Sequence, residues 1–368
     1  MLRWGAWAAL GLGVFAGAAQ AQIRIGQTAG FSGPVAAGVK EVTDGAKLYL
    51  DAVNKSGGIA GQQIELISLD DKFDPALAGE NAKKLIDQGV VALFLTRGTP
   101  HTQAVMPLLT QFKVPLVAPS TGAMALHNPV HPWLFNVRAT YQREAERAVR
   151  HLSLIGVERI ALVQVDDSFG ADAATGALNG FNGVGKHPLL HEKFDRTKPD
   201  MAPIIPKIVK GDAQAVIFIG SGNMIADGVK ALRAAGSRAQ VVTLSNNASS
   251  GFVKSLGENA RGTIVSQVFP YERSLSAPIV KEANDYAHAA GLAELTPAML
   301  EGYTGAKVLV EGLRRAAPNI TRDRLRAALE GFKRVDLGGL ELSYGPNDHS
   351  GLDYADLSIV GEDGKFRR

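Results

Sequence analysis

The sequence predicts an α/β protein built on parallel sheets covered by helices, and three observations lead there. Short β-rich runs alternate with segments of helical period from Ile23 to about residue 270. Those runs are nearly continuous in Val, Ile, Leu and Phe, as strands are when helices cover both faces of a sheet. At 368 residues, 46% of them hydrophobic, the chain is too long for one small core and implies two or three domains.

Taken in order, strands are expected at 23–28, 63–69, 90–95, 115–118, 133–137 and 159–165, then at 189–194, 215–219, 240–244 and 263–268. After the second strand, Asp74-Pro75 supplies a helix cap followed by Pro at the first helical position. Ala78, Ala82, Leu85 and Ile86 share one face, and Gly89 stands where the helix should stop. Ala145, Ala148, Val149, Leu152 and Ile155 form another apolar stripe, with Arg143, Glu146, Arg147 and Arg150 facing water and Gly156 ending the helix. So many strands exceed one ordinary open sheet, and the pattern divides near Arg138–Tyr141. Beyond Pro270 the rhythm turns helical, at 274–290, 296–316 and 321–330, followed by short strands around 340–343 and 355–360. Pro270-Tyr271 and Tyr344-Gly345-Pro346 are further points where the chain is expected to cross between domains.

With 39 basic and 36 acidic residues the formal charge is only +3, which gives no electrostatic case for nucleic acid. The absence of Cys removes disulfides, thiolate metal sites, Fe–S clusters, Cys nucleophiles and a lipid-bearing Cys together. Met1-Leu2-Arg3, the uncharged run from Trp4 to Ala19 and the small-x-small site Ala19-Gln20-Ala21 read as a cleaved signal peptide over 1–21. The run is shorter than the roughly 20 residues of a membrane span. The mature chain is therefore expected to start at Gln22 and to be exported without a lipid anchor.

Catalytic motifs do not assemble. Gly183-Val184-Gly185-Lys186 lacks the spacing and hydroxyl residue of a phosphate-binding loop, and Ile225 stands where a dinucleotide fingerprint after Gly220-Ser221-Gly222 needs Gly. Gly30-Phe31-Ser32-Gly33 misses the nucleophile-elbow spacing. The pairs His127/His131 and His187/His191 are interrupted by Pro129 and Pro188, so they read as surface-loop histidines and no metal is expected. Arg314, Arg315, Arg322, Arg324 and Arg326 read as a solvated helix face. No cofactor and no catalytic residue is expected.

What remains is a set of polar or small turns after buried strands: Thr96-Arg97-Gly98-Thr99, Pro119-Ser120-Thr121-Gly122, Asp166-Asp167-Ser168-Phe169-Gly170, Ser221-Gly222-Asn223 and Ser245-Asn246-Asn247. In open α/β sheets ligands bind just beyond the carboxyl ends of strands, where helix starts offer unpaired N–H groups to anions. Each turn alone is an ordinary cap or tight turn. Their repetition across two sheets points to a small bound molecule, with a carboxylate well suited.

At these residues the chain resembles the periplasmic leucine/isoleucine/valine-binding protein family. The likeness rests on Ser32-Gly33-Pro34, Asp44-Gly45-Ala46, Asn54-x-x-Gly57-Gly58-Ile59-x-Gly61 and Asp70-Asp71-x-x-Asp74-Pro75, and it continues through Val114-Pro115-Leu116, Phe135-Asn136-Val137-Arg138 and Asp166-x-x-Phe169-Gly170. It implies a type I periplasmic-binding fold, two doubly wound parallel-sheet lobes joined by three crossings. The lobes would be 22–140 with 271–345, and 141–270 with 346–368. The implied function is that of a monomeric substrate-binding protein of an ABC importer, closing on a ligand by hinge motion and presenting it to a membrane permease. A sensor that signals to a separate receptor is the alternative.

Carried over residue by residue, the resemblance places the ligand carboxylate at Gly98 and Thr99, with Ser120, Thr121 and Gly122 on the next turn. Phe169 is the aromatic wall without the usual phenol, and Ser221 and Gly222 stand where a second aromatic is common. The acid that would meet an α-ammonium falls at Ser245, with Asn246 beside it, and Gly38 stands where an aromatic lid is common. A buried ammonium without an anion is strongly unfavourable, so a simple branched-chain amino acid fits poorly. Asp166 or Asp167 could replace the missing anion, and Arg97 or Arg138 could serve an acidic ligand; another small organic acid or amide is therefore expected about as readily as an amino acid.

Overall fold

The computed structural model describes residues 22–368. The segment 1–21, read above as a signal peptide, lies outside the described residues. The chain opens with β1 (Ile23–Ala29), α1 (Ala36–Lys55), β2 (Ile64–Asp70), α2 (Pro75–Asp87), β3 (Ala92–Phe94), α3 (Thr99–Phe112), β4 (Leu116–Val117) and β5 (Leu134–Phe135). It continues with α4 (Tyr141–Leu154), β6 (Ile160–Val165), α5 (Ser168–Gly183), β7 (Leu190–Phe194), α6 (Ile205–Lys210), β8 (Ala215–Ile219), α7 (Asn223–Ala234), β9 (Gln240–Thr243), α8 (Ser250–Leu256) and β10 (Ile264–Gln267). Three helices follow, α9 (Pro278–Ala289), α10 (Pro297–Ala316) and α11 (Arg322–Glu330), then β11 (Val335–Asp336), β12 (Glu341–Leu342), β13 (Asp356–Val360) and β14 (Phe366–Arg367).

Two large sheets result, each covered by helices on both faces, while β11 and β12 pair antiparallel in a separate two-stranded ribbon. The first has the order β2-β1-β3-β4-β5 and is parallel throughout. The second has the order β7-β6-β8-β9-β10-β13-β14, parallel as far as β10 and completed by two antiparallel strands from the carboxyl end of the chain. The strand order of the first sheet is thus repeated in the second, and in each the winding reverses once, between β1 and β3 and between β6 and β8. A crevice opens at the carboxyl ends of the strands at such a reversal. The alternating pattern read from sequence therefore positions two crevices, one per sheet.

Local chemistry sets the element ends. Asp74 caps α2 as expected, its carboxylate accepting from the amides of Ala76 and Leu77 at 2.8 and 3.2 Å. The helix expected from 274 starts instead at Pro278, which occupies the first turn where a missing N–H costs nothing. The strand expected over 133–137 shrinks to Leu134–Phe135, because the Asn136 amide turns aside to the His349 carbonyl at 2.9 Å. Arg322 does not face water. It donates to the carbonyls of Ile86, Val90 and Phe112 at 2.9–3.2 Å and so closes the carboxyl ends of α2 and α3. His127 is no surface histidine either; it is buried, and burial pushes its pKa down to about 4.

Three segments link the sheets. Residues 136–138 run beside 349–352, joined by the Asn136–His349 bond and by Leu352 N–H to the Val137 carbonyl at 3.0 Å. The third passes through Glu272, which is only 4% exposed and whose carboxyl is pushed up to about 7 by burial. A carboxyl raised in this way contributes stability that is fully present below its unfolded pKa near 4.5 and is lost as pH rises through 7. Glu272→Gln, which needs no proton to stay neutral, should flatten the fall in urea stability between those pH values, by up to about 3 kcal/mol. An unchanged pH slope would count against a buried, protonated Glu272.

Candidate functional site

The two crevices face each other. Loops following β1 and β3 form one wall, and loops following β6, β8 and β9 form the other. Asn223 at the start of α7 donates its amide to the Pro34 carbonyl at 3.3 Å, and Ser250 at the start of α8 donates to Glu41 at 3.0 Å. Ser168 donates to Gln103 at 2.7 Å. Arg97 spans the gap, with Nη1 donating to the Ser120 hydroxyl at 2.7 Å and Nη2 to the Asn246 carbonyl at 2.5 Å. The walls meet so closely that the cavity between them, lined by residues that include Gly38, Arg97, Asn246 and Ser249, measures about 30 Å³. That is room for a very few water-sized groups. Anything larger enters only when the walls part.

The residues singled out in the sequence fall into distinct places. Asn246 and Gly222 line this cavity. Asn246 donates its side-chain amide to the Gly220 carbonyl at 2.9 Å and to the Ser221 hydroxyl at 3.2 Å, while Gly222 N–H donates to Asn247 at 2.8 Å. Gly222 has φ +53°, and a Cβ there would overlap the Pro34 carbonyl oxygen of the opposite wall. Thr99, the first residue of α3 after Gly98, faces Thr121 hydroxyl to hydroxyl at 2.7 Å, and both are fully buried. Phe169 is buried against Tyr141, ring centroids 4.7 Å apart.

Three expectations change. Gly122 packs against its own chain, with a Cβ there reaching 2.6 Å from the Ala139 carbonyl, so it serves the passage between sheets. Asp167 is tied up as the cap of α5, accepting from Gly170 N–H at 3.0 Å and pairing with Arg196, and Asp166 pairs with Lys193 at 3.0 Å. Neither is a spare anion. Ser245 does not line the cavity and belongs to a buried ion network instead.

That network is the feature sequence reading missed. Arg138, 1% exposed, pairs with Glu144, lies 3.8 Å from Glu301, donates to the Ser245 hydroxyl at 2.7 Å and stacks 4.5 Å from the Tyr141 ring centroid. Burial alone would lower its pKa, but Tyr141 and the two carboxylates outweigh that and raise it. Glu144 also accepts from Ser245 N–H at 2.9 Å and from the Ser266 hydroxyl. Glu301 accepts from the Ser120 hydroxyl at 2.7 Å, so the chain Arg97–Ser120–Glu301–Arg138–Glu144–Ser245 crosses from one wall to the other. One signal was legible: Glu144 stands four residues before Ala148, on the apolar stripe of α4 rather than on its charged face. Among the described residues no cluster of His, Asp and Glu is arranged to hold a metal ion, and no helix is long and apolar enough to cross a membrane.

Comparison with known proteins agrees with this geometry. A family model described as periplasmic binding protein matches residues 22–364. Leu/Ile/Val-binding protein homolog 3 of Brucella melitensis is 25% identical over 343 residues, covering 90% of this chain and 89% of its own. A substrate-binding periplasmic protein from Ralstonia solanacearum superposes with a TM-score of 0.86 at 30% identity, covering 94% of this chain and 99% of that one. A possible leucine/isoleucine/valine-binding protein from Rhodopirellula baltica gives 0.88 at 26% identity, with 95% and 97% covered. A type 1 periplasmic binding protein from Bordetella pertussis, 19% identical, shares the fold with a TM-score of 0.84 over 94% of this chain and 99% of its own.

Proposed function

This chain belongs to the periplasmic binding protein family, and we propose that it is the extracytoplasmic substrate-binding component of an ABC importer, trapping a small amino acid, organic acid or amide between two lobes. The observation that carries this reading is the pair of switch-point crevices meeting face to face, bridged by Arg97 and by the Pro34–Asn223 contact. The lobes are taken as 22–140 with 271–345, and 141–270 with 346–368, acting as a monomer that docks on a permease. The reading is of a carrier and not an enzyme.

Closure then works by population shift. A ligand favours the closed lobes only to the extent that it binds them better than the open ones. Arg97 and Asn246 line the closed cavity from its two walls, and Thr99 and Ser120, buried outside that lining, are the contacts proposed once the walls part. A thermal-shift screen over amino acids, aromatic acids, hydroxy acids, dicarboxylates and amides tests the reading, since a ligand at 100 times its Kd stabilises by about 2.7 kcal/mol. For any hit, replacing Thr99 and Ser120 together with Ala should weaken binding at least tenfold by calorimetry. Unchanged affinity would remove those two residues from the site, and turnover of the hit would overturn the carrier reading.

A further inference from the structure

Resting on that reading of a cleft that closes on a ligand, we infer that the ligand is an organic acid anion whose carboxylate sits against Arg97 and whose second polar group is an uncharged hydroxyl or amide N–H donor, in place of an α-ammonium. The charge distribution carries this. Arg97 is 5% exposed and lines the cavity, yet among the described residues it makes no ion pair. Its two hydrogen bonds go to a hydroxyl and a backbone carbonyl, and Glu301 reaches it only through the Ser120 hydroxyl. The second buried guanidinium, Arg138, is paired directly with Glu144 and lies 3.8 Å from Glu301, so neither carboxylate touches Arg97. A carboxylate in direct contact is thus what Arg97 lacks, and its remaining N–H groups suit one.

Two neighbours define the rest of the ligand. Asn246 is 7% exposed and its Oδ1 has no hydrogen-bond partner among the described residues. The Gly220 carbonyl accepts from the other end of that amide, so the free atom is the acceptor and calls for a donor. Among the described residues no Asp or Glu lines the cavity, so a cationic donor would be buried beside Arg97 with no anion in direct contact. At Gly38 a Cβ would lie 3.8 Å from Arg97 Nη2 and 3.7 Å from the Ser249 hydroxyl, so the absent side chain is what leaves the guanidinium reachable from the cleft.

The test uses the exported chain and matched solutes that share one side chain: the 2-hydroxy acid, the N-acyl acid, the 2-amino acid, the methyl ester of the hydroxy acid and the amine without the carboxylate, an ammonium ion at neutral pH, across short aliphatic and aromatic series. Calorimetry reports affinity and small-angle scattering reports closure. The hydroxy acid or N-acyl acid should bind at least 100-fold more tightly than the matching amino acid, leucine included, and the ester should not bind. Arg97→Gln should abolish acid binding while leaving the melting temperature within a few degrees, and Gly38→Leu should do the same by covering the guanidinium. Amino acids binding as tightly as their hydroxy counterparts, or acid binding surviving Arg97→Gln, would overturn the inference while leaving the cleft reading intact. Closure by amines or esters alone would do likewise. Failure of every solute class to close the lobes would overturn both.

Discussion

Replacing Gly222 with Val should reduce ligand affinity at least 100-fold and leave the scattering profile of the ligand-treated protein in its open form. Gly222 caps α7 with φ +53° and ψ −130°, a combination open only to glycine, and faces the Pro34 carbonyl across the cleft with no room for a Cβ. A branched side chain there must either push the walls apart or distort the α7 start that presents Asn223 to Pro34. Either way the closed population falls, and apparent affinity falls in proportion to the binding-competent fraction. Gly236→Val separates this from backbone strain: Gly236 has φ +80° but open space around its Cβ position, so that variant should lose stability and keep affinity. Equal losses of affinity in both variants would mean that Gly222 acts through strain alone.

What the sequence made legible and what it hid divide along sequence separation. The α/β class followed from patterns confined to a few residues, such as the cap at Asp74, the apolar stripe of α4 and the buried run over β6. The turns that carry Arg97, Ser120, Gly222 and Asn246 were legible for the same reason, since each follows a buried strand directly. Their partners were not. Ser120 finds Glu301 181 positions away and Arg138 finds Ser245 at a separation of 107, distances that no local pattern encodes. His127 misled for a related reason: Pro129 correctly ruled out a shared helix face, but the burial of the loop around it depends on tertiary packing. Arg322 reads as one more charge on a basic helix until α2 and α3 bring three orphan carbonyls to it.

Glu144→Ala should lower stability by about 3–5 kcal/mol in urea unfolding, the cost of leaving a buried guanidinium short of its partner. Arg138 would retain Glu301 at 3.8 Å, but Ser245 N–H and the Ser266 hydroxyl would both lose their acceptor. Glu301 would then be drawn wholly to Arg138, slackening its hold on Ser120 and, through Ser120, on Arg97. The variant should therefore bind ligand less tightly as well as unfold sooner, although residue 144 does not line the cavity. Glu144→Gln keeps the shape and one acceptor oxygen and should cost less than the Ala variant. Replacing the pair together, as Arg138→Met with Glu144→Leu, removes both charges from the interior and should recover part of the loss in stability without recovering affinity. A loss below about 1 kcal/mol for Glu144→Ala, the scale of exposed pairs, would show that solvent already screens this network.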